Sequence, residues 1–137
     1  MADQSHVGRV YTVPGQVIDG DRARRMAAAI AGTAAGRPDA IPPTFAAVYC
    51  LAPTLAQLFD DPEVGINLTG LIHGEQSFEW PTPVREGDVV DASAEITGIS
   101  EKRGMKFVTL GFLARRRGDG AEVCRGRSLM IVRGAVA

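Results

Sequence analysis

The chain has few of the residues that bind metals or form disulfide frameworks. Its 137 residues include two cysteines, Cys50 and Cys124, and two histidines, His6 and His73. The members of each pair lie far apart, so they form neither a metal-ligand motif nor the dense cysteine pattern of a small disulfide-stapled domain. We therefore expect reduced structural thiols and no metal site.

Charge excess and long apolar runs are missing as well. The formal net charge of −1 at pH 7 gives no electrostatic reason to expect binding to nucleic acid or to an anionic membrane. No apolar run reaches the roughly 20 residues of a membrane-spanning helix, and the N-terminal region lacks the apolar core of a signal peptide. We expect a cytoplasmic protein that folds as a single domain over residues 1–137.

Common catalytic and nucleotide-binding motifs are also missing from the sequence. It contains no Gly-x-Ser-x-Gly nucleophile elbow, no Gly-Lys-Ser/Thr phosphate loop and no paired-glycine dinucleotide loop. The sequence therefore implies no bound cofactor.

The first half of the chain has helical patterns. Asp19 or Asp21 is placed to begin a short helix over residues 22–30, closed by Gly32, because a carboxylate accepts free amide hydrogens in a first turn. A longer helix is predicted from Pro42-Pro43-Thr44 to Asp60-Asp61-Pro62, with Pro53 kinking it near residues 49–52. Its apolar residues recur at helical spacing and predict a core face: Phe45, Val48, Tyr49, Ala52, Leu55, Leu58 and Phe59.

The second half has the patterns of strands, after a short first strand at residues 10–13 that is expected to end at Pro14-Gly15. From Val90 to Gly98 apolar and polar residues alternate, which is typical of a half-buried strand. Residues 105–114 are apolar on both faces and predict a central strand, and residues 122–133 predict the last one. Pro81 and Pro83 place the strand before them at a sheet edge or a bulge. The order predicts an α+β domain in which an antiparallel sheet wraps around one helix.

Several segments, taken together and in order, resemble a known family. They are Val7-Gly8-Arg9-Val10-Tyr11, Pro42-Pro43-Thr44-Phe45, Asp61-Pro62-Glu63-Val64-Gly65, His73-Gly74-Glu75-Gln76 with Phe78, Pro83-Val84-Arg85-Glu86-Gly87-Asp88, and Ser128-Leu129-Met130-Ile131-Val132-Arg133-Gly134. This series resembles the MaoC-like (hydratase 2) dehydratases, specifically their N-terminal or non-catalytic half, over nearly the whole chain. The resemblance implies the hot-dog fold and an acyl thioester substrate, carried by coenzyme A or by an acyl-carrier protein.

The catalytic loop of that family is not found in this chain. Active members carry Asp-x-Asn-Pro-x-His between the short helix and the long one, where the His and Asp transfer protons as water is added or removed. Here the interval, residues 32–41, is short and contains neither His nor Asn, and Asp39 is its only carboxylate. A general acid–base pair must reach the reacting proton, so we expect no independent hydratase 2 chemistry.

His73, with Glu75 or Asp39, is the remaining candidate for proton transfer. It is the one histidine outside the N-terminal segment, and an imidazole titrates near neutral pH. A regular strand would place His73 and Glu75 on one face, and Gln76 and Phe78 on the other. The alternative is a structural role, in which His73 bonds to backbone at the start of a strand or lies at a subunit contact.

Two groups of residues are candidates for substrate binding. Arg115 and Arg117, in a run of three arginines, can contact the phosphates of coenzyme A or an acidic carrier protein, or can form a solvated hairpin end. The second group consists of aromatic residues that can line an acyl pocket or serve in the core or a dimer interface: Phe45, Tyr49, Phe78 and Trp80.

Three functions are compatible with the sequence. The resemblance favours a substrate-binding, non-catalytic hot-dog subunit of a (3R)-hydroxyacyl-thioester dehydratase or enoyl hydratase. Such a lyase would act in fatty acid or polyketide metabolism, as a homodimer or as a heterodimer with a catalytic hot-dog subunit. The second function is a stand-alone dehydratase or thioesterase that uses His73 with Glu75 or Asp39. The third is a non-enzymatic module that binds a thioester or a carrier protein.

Overall fold

The computed structural model describes residues 2–31 and 41–134 of the chain. Its α-helices are α1 (Gly20–Ala31) and α2 (Ala52–Phe59). Its strands are β1 (Val10–Val17), β2 (Leu71–Glu79), β3 (Val89–Lys102), β4 (Met105–Arg116) and β5 (Glu122–Arg133). Both helices therefore lie between β1 and β2 in the sequence, and β2 to β5 follow without another helix.

The five strands form one antiparallel sheet in the order β1-β3-β4-β5-β2. β4 lies at the centre, as its two apolar faces predict, and β1 and β2 are the edges. The alternation predicted in β3 is confirmed, because the side chains of Val90, Ala92, Ala94 and Ile96 are all buried. The sheet thus follows the period-2 pattern of the sequence closely.

The first strand is longer than the sequence predicts. β1 continues through Pro14-Gly15 to Val17, and a bulge interrupts its pairing with β3 between Val13 and Gln16. An edge strand tolerates a proline at a bulge, where no amide hydrogen is needed for the ladder. Gly15 has a positive φ of 71°, and its amide donates to the carboxylate of Asp91. The Pro-Gly pair therefore distorts the strand and does not end it.

Of the two predicted capping residues, Asp19 caps the helix α1, which begins at Gly20, two residues before the predicted start. A carboxylate oxygen of Asp19 accepts hydrogen bonds from the amides of Asp21 (3.0 Å) and Arg22 (3.2 Å). These bonds satisfy two of the free donors of the first turn. The helix continues to Ala31, and Gly32, expected to close it, lies outside the described residues.

The helical segment before β2 is irregular, and Pro53 explains part of this irregularity. The segment starts with a tight 3₁₀ turn at Pro43–Phe45, continues as a π-helical turn at Ala47–Leu51 and ends as α2. Pro53 has no amide hydrogen for α-helical bonding, and the amide of Ala52 donates to the carbonyl of Ala47, five residues back. The distortion predicted near residues 49–52 takes the form of this π-helical turn.

The π-helical turn changes which residues face the core. Most of the predicted residues are buried or partly buried against it: Phe45, Val48, Tyr49, Leu55, Leu58 and Phe59. Ala52, also predicted to face the core, is exposed instead, and Thr54 is fully buried. A π-helical turn contains more residues than an α-helical one, so the core-facing stripe shifts along the sequence after it. The Thr54 hydroxyl donates to the carbonyl of Cys50 (2.7 Å). The buried hydroxyl group therefore keeps a hydrogen-bond partner.

The helical segment covers one half of the sheet. It packs against β1, β3 and β4, where the hydrophobic core lies. β2 packs mainly against β5, and most of its side chains are at least partly exposed, including Ile72. β2 ends at Glu79, before Pro81 and Pro83, so the predicted edge position is confirmed. In the single chain β2 is therefore an open sheet edge.

Cys50 and Cys124 are both free and fully buried, as expected of structural thiols. The two thiols lie close enough to interact. Hydrogen bonding with Cys124, together with burial, raises the pKa of Cys50 above its ordinary value. Cys50 is therefore a neutral thiol at physiological pH.

The described residues contain neither a candidate metal site nor a candidate membrane-spanning helix. Within them, no group of three His, Cys, Asp or Glu side chains is placed to hold a metal ion. None of the described helices is both long and apolar enough to cross a membrane.

Candidate functional site

The four aromatic side chains that the sequence marks as acyl contacts lie together at one end of the molecule. The ring centroids of Phe45 and Tyr49 are 6.3 Å apart, and those of Phe78 and Trp80 are 5.6 Å apart. Tyr49 and Trp80 line the same cavity and so connect the two pairs. The start of the helical segment and the end of β2 thus meet at one aromatic site.

The cavity that Tyr49 and Trp80 share, here called the aromatic cavity, has a volume of about 120 Å³. Its other walls come from the start of the helical segment and from the loop after β2: Ile41, Pro42, Pro43, Pro83 and Val84. Among the described residues that line it, none carries a carboxyl or imidazole group. This lining suits an apolar acyl group and supplies no general acid or base for neutral pH.

Tyr49 contributes a wall to the aromatic cavity and is held as a neutral phenol. Its side chain is only 3% exposed, and burial raises the pKa of Tyr49 above its ordinary value, with smaller contributions from Cys124 and Cys50. The hydroxyl group interacts with Cys124, a buried residue of the core. The polar end of Tyr49 is thus occupied within the core, and its ring is the surface offered to a ligand.

The position of Phe78 depends on a glycine in the neighbouring strand. Phe78 in β2 lies opposite Gly126 in β5. A Cβ atom at Gly126 would lie 2.2 Å from the backbone oxygen of Ser77 and 3.1 Å from a ring carbon of Phe78. A side chain at this position would therefore push β2 away from β5 and displace Phe78 together with Trp80.

Arg116 holds the loop that carries two walls of the aromatic cavity. Its guanidinium donates to the carbonyl of Pro83 (3.2 Å) and to the carboxylate of Asp88 (3.3 Å). It also pairs with Asp119 at 2.7 Å, and this hydrogen bonding lowers the pKa of Asp119 to about 2. This role could not be predicted from the sequence, because Arg116 is the middle residue of a run of three arginines.

The two other arginines of the run are paired with carboxylates. Arg115 contacts Glu122 at 3.2 Å, and Arg117 contacts Asp91 at 2.6 Å. Hydrogen bonding from Arg117 lowers the pKa of Asp91. About half of each arginine side chain remains exposed. A phosphate or an acidic carrier protein would compete with these carboxylates, so substrate binding by Arg115 and Arg117 stays a prediction.

A bulge at Gly74 changes the predicted faces of β2. His73 and Glu75 pair with residues 130 and 129 of β5, which are adjacent, so Gly74 is an extra residue in the strand. His73 therefore shares the inner face with Gln76, and Glu75 lies on the outer face. The prediction that His73 and Glu75 share a face is wrong. An isolated glycine in a strand pattern is a sign of such a bulge, and the sequence contained it.

His73 belongs to a small polar cluster on the inner face of β2 and β5. Its Nε2 atom is 3.0 Å from Oε1 of Gln76. The same oxygen accepts a hydrogen bond from the hydroxyl of Ser128, which is fully buried. Because an amide oxygen only accepts, the imidazole Nε2 carries the hydrogen in this arrangement. The cluster orients the ring of His73, with no carboxylate among its described hydrogen-bond partners.

The described residues do not bring the three candidate catalytic residues together. Glu75 lies beside a separate surface cavity that is also lined by Ser77 and Arg127. Asp39 lies outside the described residues. His73 is not among the described residues that line the aromatic cavity. An assembled acid–base pair is therefore not present around this cavity in the described part of the chain.

Comparisons with solved structures define the class of fold. The C-terminally truncated HadBC (3R-hydroxyacyl-ACP dehydratase) complex from Mycobacterium tuberculosis matches with a TM-score of 0.73 at 24% identity, covering 92% of this chain and 96% of that chain. A MaoC-like dehydratase from Rhodospirillum rubrum matches with a TM-score of 0.67 at 18% identity, covering 96% of this chain and 94% of the other. The α+β fold is thus the hot-dog fold of these dehydratases, as the sequence resemblance implies.

Comparisons of sequence give the family. Residues 5–120 match the family model described as FAS1-like, dehydratase domain region. A UPF0336 protein from Saccharopolyspora erythraea is 30% identical over 145 residues, which cover 96% of this chain and 92% of the relative. This chain belongs to the FAS1-like dehydratase-region family.

Proposed function

We propose that this chain is the substrate-binding, non-catalytic hot-dog subunit of a (3R)-hydroxyacyl-thioester dehydratase or enoyl hydratase. The observation that carries the proposal is the aromatic cavity, whose described walls are apolar or phenolic and include no carboxyl or imidazole group. The similar HadBC complex, described as a 3R-hydroxyacyl-ACP dehydratase, supports the choice of reaction. The cavity would hold the acyl part of a thioester on coenzyme A or on an acyl-carrier protein.

The chemistry of the reaction explains why a second subunit is needed. Hydration of an enoyl thioester adds a hydroxyl group to the β-carbon and a proton to the α-carbon, so the site must deprotonate water and protonate carbon. Tyr49, with its raised pKa, is a poor base and a weak acid at neutral pH. A partner subunit that carries the Asp-x-Asn-Pro-x-His loop would supply both groups, while this chain would bind and orient the acyl group.

The open edge at β2 is the surface that we propose for pairing with that partner. An unpaired edge strand presents free amide and carbonyl groups to a second strand. Ile72 and Trp80, in and just after β2, are 44% and 41% exposed, so pairing there would also bury apolar surface. A second copy of this chain or a catalytic hot-dog subunit would extend the sheet. A light-scattering mass of a single chain at micromolar concentration would contradict pairing between copies.

A stand-alone dehydratase or thioesterase is the second candidate, and the polar cluster on the inner face favours it. Gln76 fixes the ring of His73, which is what a proton shuttle requires. Glu75 lies on the outer face and is a poor partner for His73, so this function would rely on His73 together with Asp39. Turnover by the purified chain that disappears in His73→Ala would favour this candidate.

Acyl-thioester binding can be measured directly on the purified chain. Trp80 is the only tryptophan and lines the aromatic cavity, so its fluorescence should change on titration with hexanoyl-CoA, with calorimetry as an independent measure. Val84→Glu places a carboxylate in the apolar wall and should weaken binding roughly tenfold or more. Val17→Glu, at an exposed position on β1, is the matched control and should bind like the parent chain.

Two outcomes would count against the binding role. One is a lack of saturable binding by the folded parent chain. The other is equal binding by the Val84→Glu and Val17→Glu variants, which would locate the ligand elsewhere. Binding without turnover, in the presence of every candidate partner, would instead favour a non-enzymatic thioester-binding module.

A further inference from the structure

Three exposed cations lie together at the end of the β3–β4 hairpin. Lys102 is the last residue of β3, Arg103 lies in the turn, and Arg133 is the last residue of β5. All three residues are exposed, and none of them forms an ion pair with a described carboxylate. The arginines at the other end of β4, residues 115–117, are all paired. The hairpin end therefore carries positive charge that no described residue neutralises.

The register of the sheet places two of these cations on its outer face. Met105 pairs with Lys102 on one side and with Arg133 on the other. Paired residues point to the same face, and Arg133 follows Val132, which is buried on the inner face. Because neighbouring strands are about 4.8 Å apart, the backbones of Lys102 and Arg133 are roughly 10 Å apart. They form a row of two cations with an apolar residue between them.

Two carboxylates near this end are associated with a different cation. Glu101 pairs with Lys106 in the hairpin, and both belong to the inner face because they are one residue out of step with the row. Asp3 interacts electrostatically with Lys106, whose ammonium group donates to the carbonyl of Ala2. The row on the outer face thus keeps its positive charge.

Arg103 is held in a strained backbone conformation. Among the described residues it is the one non-glycine residue with a positive φ, 54°, and Gly104 beside it has a φ of 74°. A two-residue turn of this kind usually has Asn, Asp or Gly at the first position. The carbonyl of Gly104 accepts a hydrogen bond from the amide of Gly134 (3.2 Å), which fixes the turn beside the end of β5. An exposed arginine at a strained position, with no described carboxylate to bind, indicates a role beyond the stability of the fold.

We propose that the hairpin surface, which consists of Lys102, Arg103, Met105 and Arg133, docks an acidic helix of an acyl-carrier protein. Carboxylates two turns apart on a helix are about 10.8 Å apart, which matches the roughly 10 Å between Lys102 and Arg133. Met105 gives such a helix an apolar contact between the charges. Exposed cations spread over this distance suit a protein surface, whereas the phosphates of a coenzyme are bound by polar groups that converge in a cleft.

This inference rests on the proposed subunit role, which places the hairpin surface near an acyl site. A two-fold axis would pair β2 with β2 of a second hot-dog subunit in the antiparallel sense, so the start of one strand would lie beside the end of the other. β2 starts beside Val132, at the level of the hairpin surface. The aromatic cavity of a second copy would then lie at this end, within about 20 Å of Arg133. A carrier protein bound there would deliver its thioester, on a long flexible arm, to that cavity.

Docking is tested with the apo form of a bacterial acyl-carrier protein, which has no arm and reports contact between protein surfaces alone. The probe carries a fluorophore, and its anisotropy is measured on titration with the purified chain at low and at high salt. One variant combines Lys102→Glu with Arg133→Glu, and a second, Arg103→Asn, removes a charge where the backbone suits asparagine. Arg127→Glu is the matched control, since Arg127 is an exposed outer-face arginine of β5 without a described ion pair, roughly 20 Å from Arg133. Circular dichroism checks that each variant is folded.

The expected result is saturable binding that weakens as the salt concentration rises. Affinity should fall roughly tenfold or more in the double variant and about threefold in Arg103→Asn, and should stay within about twofold of the parent value in Arg127→Glu. Arg103→Asn should keep or raise the urea midpoint, because asparagine relieves the strain, so its weaker binding cannot come from unfolding. Hexanoyl-CoA should bind to all variants as it binds to the parent chain, because the hairpin surface contributes no residue to the aromatic cavity.

Absence of saturable binding by the folded parent chain would overturn the inference, and so would equal losses in the double variant and in Arg127→Glu. Displacement of the apo carrier protein by free coenzyme A would also overturn it, since the hairpin surface would then bind nucleotide phosphates. Docking that depends on the hairpin surface, in a chain that does not bind hexanoyl-CoA, would support the inference and contradict the proposed acyl site. The two proposals can therefore fail separately.

Discussion

Replacing Gly126 with alanine is expected to weaken the pairing of β2 with β5. The added Cβ would lie 2.2 Å from the backbone oxygen of Ser77, well inside the 3.4 Å at which ordinary contacts begin. That oxygen is part of the β2 backbone, so it can yield to the new Cβ atom only if β2 itself moves away from β5. Overpacking of this kind costs about 1–3 kcal/mol, and the gain from replacing a glycine is about 0.4–1 kcal/mol. We expect the free energy of unfolding to fall by about 1–2 kcal/mol.

Gly111 provides a matched control in β4. A Cβ atom there would meet a methyl group of Thr97 at 3.4 Å, an ordinary contact. Gly111→Ala should leave the free energy of unfolding unchanged or raise it by up to about 1 kcal/mol. Urea denaturation followed by circular dichroism compares both variants with the parent chain. A midpoint for Gly126→Ala equal to or above that of Gly111→Ala would refute the crowding argument.

Two further predictions concern stability. Phe45→Ala should lower the free energy of unfolding by about 3–5 kcal/mol, because the Phe45 side chain is only 1% exposed. The control Ile30→Ala, at an exposed position, should change the free energy of unfolding by less than about 0.5 kcal/mol. Equal denaturation midpoints for the two variants would contradict the burial of Phe45. Hydrogen bonds from Arg9 and Tyr11 lower the pKa of Asp61 from its ordinary 3.8 to about 2. Because the pKa of Asp61 is lower in the folded chain than in the unfolded chain, ionised Asp61 stabilises the fold. This stabilisation is present above about pH 4 and is lost as the pH falls toward 2. Asp61→Asn should therefore be less stable than the parent chain at pH 6 and should lose less stability on acidification. Parallel acid-denaturation curves for the two chains would contradict the stabilising role of ionised Asp61.

The strands were predictable because their burial follows directly from a period of two. The alternation from Val90 to Ile96 and the apolar stretch of β4 needed no knowledge of their neighbours. The bulges at Pro14-Gly15 and at Gly74 were not predicted, because a bulge is a mismatch between two paired strands and one strand alone does not determine it. The bulge at Gly74 has the larger consequence, since it separates His73 from Glu75.

The aromatic residues of the candidate site could be singled out from the sequence, but the other walls of the aromatic cavity could not. Pro42 and Val84 are about forty positions apart, and nothing in either segment specifies that they face the same space. Arg116 shows the same difficulty, because its contact with the carbonyl of Pro83 depends on how the β4–β5 hairpin end meets the loop after β2. Local sequence patterns are enough to predict helices and strands. Contacts between segments that are distant in the sequence can be identified only once the fold is known.

The most direct test of the subunit role is enoyl-thioester hydration by the purified chain, alone and mixed with a partner subunit that carries the Asp-x-Asn-Pro-x-His loop. We expect no measurable turnover of crotonyl-CoA by this chain alone. Added to the partner, the chain should raise the rate above that of the partner alone, and Val84→Glu should reduce that rise. Robust turnover by the chain alone, unchanged in His73→Ala, would contradict the non-catalytic role and the fallback role of His73 together.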